Sequence, residues 1–310
     1  MSTEPLPVQK KTTVLDLALR KARRQKIPVL TAYDTPGAQA AEAAGIDVLL
    51  VGDSVGMVVL GYPTTLPVTM DQMVHHAGAV ARGAARSLLI GDMPFLSYQV
   101  SAEEAVRNAG RLVKEGGMDA VKVEGGRDIL PAVSAILAAG IPVMGHVGLT
   151  PQSIHRLGGW RVQGKDRRSA LAILGDALAL EEAGCFAVVL ESVPARLAAL
   201  VTERLTIPTI GIGAGAGCDG QVLVSHDLLG LFTGRTPRFV KRYANLFDEM
   251  TRAFREYGDE VREGVFPAAE QTYEMPDTEW KAVGAALEGR EGAPPGPVLL
   301  ARGGRGRCGS

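Results

Sequence analysis

The sequence predicts an α/β fold: a (β/α)8 TIM barrel with an N-terminal helix in front and a disordered C-terminal tail behind. Three observations predict it. The chain has 310 residues, more than the roughly 250 that such a barrel needs. Short apolar runs alternate with helical patterns eight times along it. Five of those runs end in a titratable residue: Val48-Leu-Leu-Val before Gly52-Asp53-Ser54, Ser87-Leu-Leu-Ile-Gly-Asp92, Ala120-Val-Lys-Val-Glu124, Val143-Met-Gly-His146 and Ala187-Val-Val-Leu-Glu191. Continuous apolar runs are the mark of strands buried on both faces. Polar groups at their C-terminal ends are where such barrels carry chemistry.

Hydrophobic residues make up 46% of the chain, enough for a sizeable core. The net charge of -1 gives no footprint for nucleic acid or for an anionic membrane surface. Cys185, Cys218 and Cys308 lack disulfide or zinc spacing, which fits a reducing compartment. Met1 to Lys11 carries no apolar signal region, and no run reaches the ~20 apolar residues of a membrane span. These features predict a soluble cytoplasmic protein.

Thr12-Thr13 ahead of Val14-Leu15 and the basic Arg20 to Arg24 predict a capped helix that covers the barrel floor. Strand one is expected over Pro28–Tyr33, with its helix closed at Gly45. Strand two runs to Asp53, followed by an unusually long loop, Gly56 to Pro67. Thr69 and Ser101 read as caps of the next two helices. Asp128 to Ala139 and Arg168 to Ala183 read as helices, with an irregular segment from Gln152 to Lys165 before the second. Pro194 opens a further helix. Strand seven leads into Gly211-Ile-Gly-Ala-Gly-Ala-Gly217, strand eight covers Gln221 to Val224, and Arg238 to Tyr257 reads as the last helix. The barrel domain is expected over 1–267 and a largely disordered extension over 268–310, its end rich in Gly, Pro and Arg.

Asp53, Asp92 and Glu124 end three consecutive strands. Neighbouring strands lie about 5 Å apart, so the three acids can converge. Uncompensated, they would repel; a hard divalent cation such as Mg2+ resolves the conflict. Each acid alone reads equally as a helix cap or a salt-bridge partner. Lys122 shares an inward face with Glu124 by alternation. It is either an anion-binding charge or an ion-pair partner of Glu124, with Schiff-base chemistry disfavoured by the nearby acid. His146 reads as a hydrogen bonder to a substrate oxygen, a metal ligand or a satisfied polar residue. Glu191 reads as a general base across the pocket or as a helix cap. His75-His76 reads as structural. The glycines of 211–217 are a weak phosphate signal, since glycine also serves turns.

Leu30-Thr-Ala-Tyr-Asp34, Val51-Gly-Asp-Ser54, Leu66-Pro-Val-Thr69, Val121-Lys-Val-Glu-Gly125, Gly145-His-Val-Gly-Leu-Thr-Pro-Gln152 and Gly211-Ile-Gly-Ala-Gly215 together resemble the ketopantoate hydroxymethyltransferase family, in order from about Thr13 to Pro267. The resemblance implies transfer of a hydroxymethyl group from 5,10-methylenetetrahydrofolate to 3-methyl-2-oxobutanoate. It implies a Mg2+ site at Asp53, Asp92 and Glu124, substrate contacts from Asp53, Ser54, Asp92, Lys122 and His146, and Glu191 as proton acceptor. It also implies a homodecamer. A competing expectation is a Mg-dependent lyase or mutase of the phosphoenolpyruvate and isocitrate type, which would call for a reactive loop cysteine. A barrel without catalysis is a third, against which the full set of acids speaks.

Overall fold

The eight apolar runs close on themselves. A computed structural model describes residues 10–234 and 236–288, and its strands form one closed parallel barrel in sequence order. They are β1 (Ile27–Thr31), β2 (Val48–Val51), β3 (Leu88–Asp92), β4 (Ala120–Glu124), β5 (Val143–Gly148), β6 (Ala187–Glu191), β7 (Thr209–Ile212) and β8 (Gly220–Leu223). The helices are α1 (Val14–Ala22), α2 (Thr35–Ala43), α3 (Val55–Val58), α4 (Met70–Gly83), α5 (Ala102–Lys114), α6 (Leu130–Ala138), α7 (Ile154–Leu157), α8 (Arg167–Ala183), α9 (Ala195–Arg204), α10 (Ser225–Leu228), α11 (Leu246–Glu263) and α12 (Asp277–Glu288).

Alternation along each strand divides the apolar residues between two clusters. Leu49, Val51, Leu89, Val121, Val123, Val188 and Leu190 pack outward with the helix faces. Val48, Leu50, Leu88, Ile90, Ala120, Met144, Ala187 and Val189 fill the barrel with Leu17 of α1. The N-terminal helix therefore does close the floor. Thr13 and Asp16 form its capping box, and Arg20 grips Asp47 through two 2.6 Å hydrogen bonds. The inward parity that fills the floor with Leu88, Ile90, Ala120, Met144, Ala187 and Val189 reaches Asp92, Lys122, Glu124, His146 and Glu191 at the other end. The same strands thus carry an apolar base and a charged rim.

Several boundaries differ from the sequence expectation. Strand two stops at Val51, and Asp53 stands on the turn beyond it. Pro194 is the N-cap of α9 rather than its first residue. The long loop after β2 contains α3, one turn of helix. The predicted last helix at Arg238–Tyr257 begins later, at Leu246, and runs to Glu263; a turn at Pro237–Val240 and backbone bonds from Tyr243 N to Leu228 O and Leu246 N to Leu229 O occupy the stretch before it.

The chain divides into two compact units, the first ending at Glu249 and the second beginning at Met250. In the second unit, α11 continues to Glu263 and Tyr257 meets the Phe266 ring edge-on at 5.4 Å. The extension expected to be largely disordered holds α12 within its described part, 268–288. Asp277 and Glu279 in its first turn and the helix formers Lys281, Ala282, Ala285, Ala286 and Leu287 favour it. The expectation for 289–310 lies outside the described residues, as does the stretch 1–9.

Leu17→Ala should cost about 2–5 kcal/mol, since the side chain is fully buried in the barrel floor. Urea unfolding measures this, and catalytic constants under native conditions should stay near those of the parent.

Candidate active site

The rim residues come together because strand register sets them side by side. Asp92 lies level with Lys122, Glu124 with His146, and Glu191 with Gly148. Lys122 Nζ stands 2.9 Å from Asp92 Oδ1 and 3.2 Å from His146 Nδ1. His146 bridges two acids: Nδ1 is 3.5 Å from Glu124 Oε1 and Nε2 is 3.3 Å from Glu191 Oε2. Asp53, Asp92, Lys122, Glu124 and His146 are all buried, and Glu191 is half-buried.

Asp53 joins by a different route. Its inward neighbour is Gly52, where a Cβ would sit 2.7 Å from Ser54 Oγ and 3.4 Å from Asp92 Oδ2. The missing side chain lets the turn fold over the rim, and Asp53 N donates to Asp92 Oδ2 at 3.1 Å. Ser54 Oγ and Tyr33 OH are 2.8 Å apart, which places Ser54 on the same rim.

Lys122 is thus an ion-pair partner of Asp92, where the sequence suggested Glu124 alone. Burial disfavours its charge, but Asp92, Glu124 and Asp53 outweigh burial and hold it well above the ordinary lysine range. Burial, then the charges of Glu124 and Asp92, push the Asp53 carboxyl up to about 8. Burial also raises Asp92, with Lys122 opposing. Burial would raise Glu124, yet the His146 hydrogen bond and charge carry it below the usual value. For His146, burial and the Lys122 charge push down, while the hydrogen bonds to Glu124 and Glu191 lift it to about 9. The approach of Lys122 Nζ to Nδ1 suits a neutral ring, while the two flanking carboxylates favour the protonated one.

Sequence reasoning missed two groups. Gln152, quoted only inside a motif, donates its backbone N to Glu124 Oε2 at 2.9 Å and its Nε2 to Asp53 Oδ2 at 3.0 Å. Tyr98 OH lies 2.8 Å from Gln152 Oε1 and accepts from Glu124 N at 3.0 Å. The only local hint was the position of Gln152 on the turn after β5; nothing near Tyr98 pointed to a site. Other expectations fall elsewhere. His76 Nδ1 binds Tyr33 O at 2.7 Å, a structural contact. Gly213 and Gly215 adopt φ of 65° and 80°, and a Cβ on Gly213 would lie 2.5 Å from Phe239, so close packing and a turn explain them. Cys185 and Cys218 are buried, and burial pushes the Cys185 thiol up to about 12.

Among the described residues, no three His, Cys, Asp or Glu side chains form a ready-made metal cluster. The donor chemistry nevertheless suits a hard cation. Three buried carboxylates share one hydrogen-bonded patch, and burial with the neighbouring negative charges raises Asp53 to about 8. Mg2+ commonly takes one or two protein carboxylates and leaves its other positions to water and substrate.

A parallel barrel whose C-terminal rim carries interacting acids, a lysine and an imidazolium has the build of a barrel enzyme acting on a small anionic substrate. A family model described as ketopantoate hydroxymethyltransferase matches residues 11–269, and the chain belongs to that family of transferases. A 3-methyl-2-oxobutanoate hydroxymethyltransferase of Carboxydothermus hydrogenoformans is 56% identical over 265 residues, covering 86% of this chain and 96% of that one. The enzyme of that name from Moorella thermoacetica is 57% identical over 263 residues, with 85% and 98% covered. Among solved structures, phosphoenolpyruvate phosphomutase from Streptomyces platensis subsp. rosaceus superposes with a TM-score of 0.55 at 15% identity, covering 90% of this chain and 97% of that one. Phosphonopyruvate hydrolase in complex with oxalate and Mg++ gives 0.55 at 14%, with 90% and 99% covered. These two show the shared barrel fold.

The raised Asp53 pKa has a sign that can be measured. The folded state keeps a proton on Asp53 that the unfolded state releases near 3.8, so metal-free stability falls as pH rises from about 4 to 8. His146, raised from 6.5 to about 9, contributes stability that is complete below 6.5 and lost as pH rises through 9. Each proton accounts for a slope of at most about 1.4 kcal/mol per pH unit. In chelator-treated protein, Asp53→Asn should flatten the 4–8 portion and raise the melting temperature at pH 8. Scanning calorimetry from pH 5 to 9 checks it.

Proposed function

We propose that this transferase moves a hydroxymethyl group from 5,10-methylenetetrahydrofolate to 3-methyl-2-oxobutanoate, giving 2-dehydropantoate, the first step of pantothenate synthesis. The observation that carries the reading is the single buried network of Asp53, Asp92, Lys122, Glu124, His146 and Glu191 on the rim. The names of the relatives support the oxo acid and the hydroxymethyl transfer.

Asp53, Asp92 and Glu124 would hold Mg2+. When bound, the cation supplies Lewis acidity to the adjacent keto and carboxylate oxygens of an α-keto acid, easing the charge that develops as its C3–H bond breaks. The chain's own groups do the rest. Lys122 balances the substrate carboxylate, and its burial beside Asp92 fixes the ammonium in place. Ser54, Asp53, Asp92 and His146 line the same anion site. Glu191 accepts the C3 proton, with the His146 imidazolium 3.3 Å away holding its carboxylate. The deprotonated C3 then bonds to the one-carbon unit of the folate; water completes the hydroxymethyl group and tetrahydrofolate leaves. Two segments are the proposed walls of the pterin site. One is Gly56 to Pro67. The other is Arg156 to Lys165, which carries the exposed Trp160 and donates Gln163 N to Ser192 O beside Glu191.

The lyase or mutase reading calls for a reactive loop cysteine, and the two described cysteines are buried. A cytoplasmic homo-oligomer, a decamer by family resemblance, completes the reading. Exposed Met250, Phe254, Tyr257 and Val261 along one stripe of α11 support association of copies. Among the described residues no helix is long and apolar enough to cross a membrane.

Purified protein with Mg2+ and both substrates should form 2-dehydropantoate, and chelation should stop it. Glu191→Gln should lower exchange of the C3 proton into deuterated water by about 100- to 10,000-fold, followed by NMR. Exchange at the parent rate would remove Glu191 from the proton step. Absence of product with any oxo acid would overturn the whole reading.

A further inference from the structure

Gln152 sits where the three acids are tied together. It lies in the short turn Pro151–Ser153 after β5 and is buried. One chain of hydrogen bonds passes through it: its backbone N to Glu124 Oε2, its Nε2 to Asp53 Oδ2, and from there Asp53 N to Asp92 Oδ2. A residue on the turn after β5 thereby couples an acid on the turn after β2 with acids at the ends of β3 and β4. The orientation of its amide is fixed by its surroundings. Nε2 also donates to Met93 O at 3.0 Å, while Oε1 faces Tyr98 OH at 2.8 Å. Flipping the amide would set its oxygen against the Met93 carbonyl oxygen, which can only accept, and would lose the bond that Nε2 donates there. Tyr98 is buried; its OH accepts from Glu124 N at 3.0 Å and stands within donating distance of both Glu124 O, at 2.9 Å, and Gln152 Oε1, at 2.8 Å, so the phenol touches Gln152 and the Glu124 backbone at once.

We propose that Gln152, oriented by Tyr98, is the positioning residue that holds Asp53 and Glu124 together for a divalent cation. The proposal rests on the reading of the rim as a Mg2+ site. The amide's neutrality is central to it. A lysine or arginine at this position would bind the same acids but cancel the negative charge that attracts the cation. An amide ties them and leaves that charge intact. Partners that orient metal ligands typically change metal affinity by about 10- to 100-fold when removed.

The test uses the full chain without substrate. Free Mn2+ is followed by electron paramagnetic resonance for the parent, Gln152→Ala and Tyr98→Phe, with circular dichroism and melting to monitor the fold. Gln152→Ala should weaken Mn2+ binding by about 10- to 100-fold. Tyr98→Phe should weaken it by about 2- to 10-fold, the worth of one hydrogen bond. In turnover, kcat of both variants should recover at saturating Mg2+, which a general loss of structure would not allow. A folded Gln152→Ala protein with the parent's Mn2+ constant would overturn the proposal and leave the Mg2+ reading standing. A kcat that saturating Mg2+ does not restore would also overturn it, in favour of a direct substrate contact. A parent protein that binds no Mn2+ would remove the Mg2+ reading and this proposal with it. If Gln152→Ala does not fold, Tyr98→Phe decides by the same criteria.

Discussion

Buried negative charge at the mouth of the barrel is the constraint to which the rest of the structure answers. Four carboxylates, Asp53, Asp92, Glu124 and Glu191, share one network with two cationic groups, Lys122 and His146. Desolvating an acid without a partner is costly, and here the surplus is visible as an Asp53 proton held to about 8. The charges cannot relax away because they stand on strands. Beneath them the same strands bury Val48, Leu50, Ile90, Met144 and Val189 with Leu17, so the floor is dry and well packed. A dry floor makes each charge above it interact strongly, with its neighbours and with a bound anion or cation.

This arrangement gives up stability for readiness. A barrel built only to fold would place apolar side chains at the rim positions, as it does with Ile90, Ala120, Met144 and Val189 nearer the floor on the same faces. Instead, Lys122 and His146 offset part of the repulsion with charge, and Gln152 adds neutral hydrogen bonds to Asp53 and Glu124. Sites of this kind are held destabilised because their unmet interactions are reserved for substrate and cofactor. The backbone follows the same logic. Ser192, directly after the Glu191 carboxylate, has φ of 49°, a strained conformation for a residue other than glycine.

The repetitive part of this design was legible in the sequence. Eight apolar runs gave the strands, and period-two alternation put Lys122 and Glu124 on one inward face, with Asp92, His146 and Glu191 at equivalent ends of their own strands. What alternation could not reveal depends on tertiary approach. By parity Asp53 belongs to the outward face; it reaches the rim because β2 stops two residues earlier and Gly52 leaves room. The partner of Lys122 is set by register between β3 and β4, where Asp92 stands level with it, while the sequence showed only the acid on its own strand. Tyr98 and Gln152 are separated by 53 residues along the chain and meet only through folding. The helix α12 was hidden by its neighbourhood: a tail rich in glycine and proline drew attention away from the helix-forming stretch before it.

The barrel itself does not decide the chemistry. Solved structures with about 15% identity share it with TM-scores near 0.55, and such frames host many reactions. Discrimination therefore has to lie in the rim. There the decisive contrast is between charged and neutral partners of the acids. Lys122 serves Asp92 and is available to a substrate carboxylate; the imidazolium serves Glu124 and Glu191. Asp53 takes its side-chain hydrogen bond from the neutral Gln152 amide, and burial with the charges of Glu124 and Asp92 drives its carboxyl up to about 8. The acid that the protein leaves electrostatically unpaid is the one with most to gain from a cation. On this argument a cation at the proposed site would centre on Asp53, and the neutrality of Gln152 would matter there as much as the acids themselves.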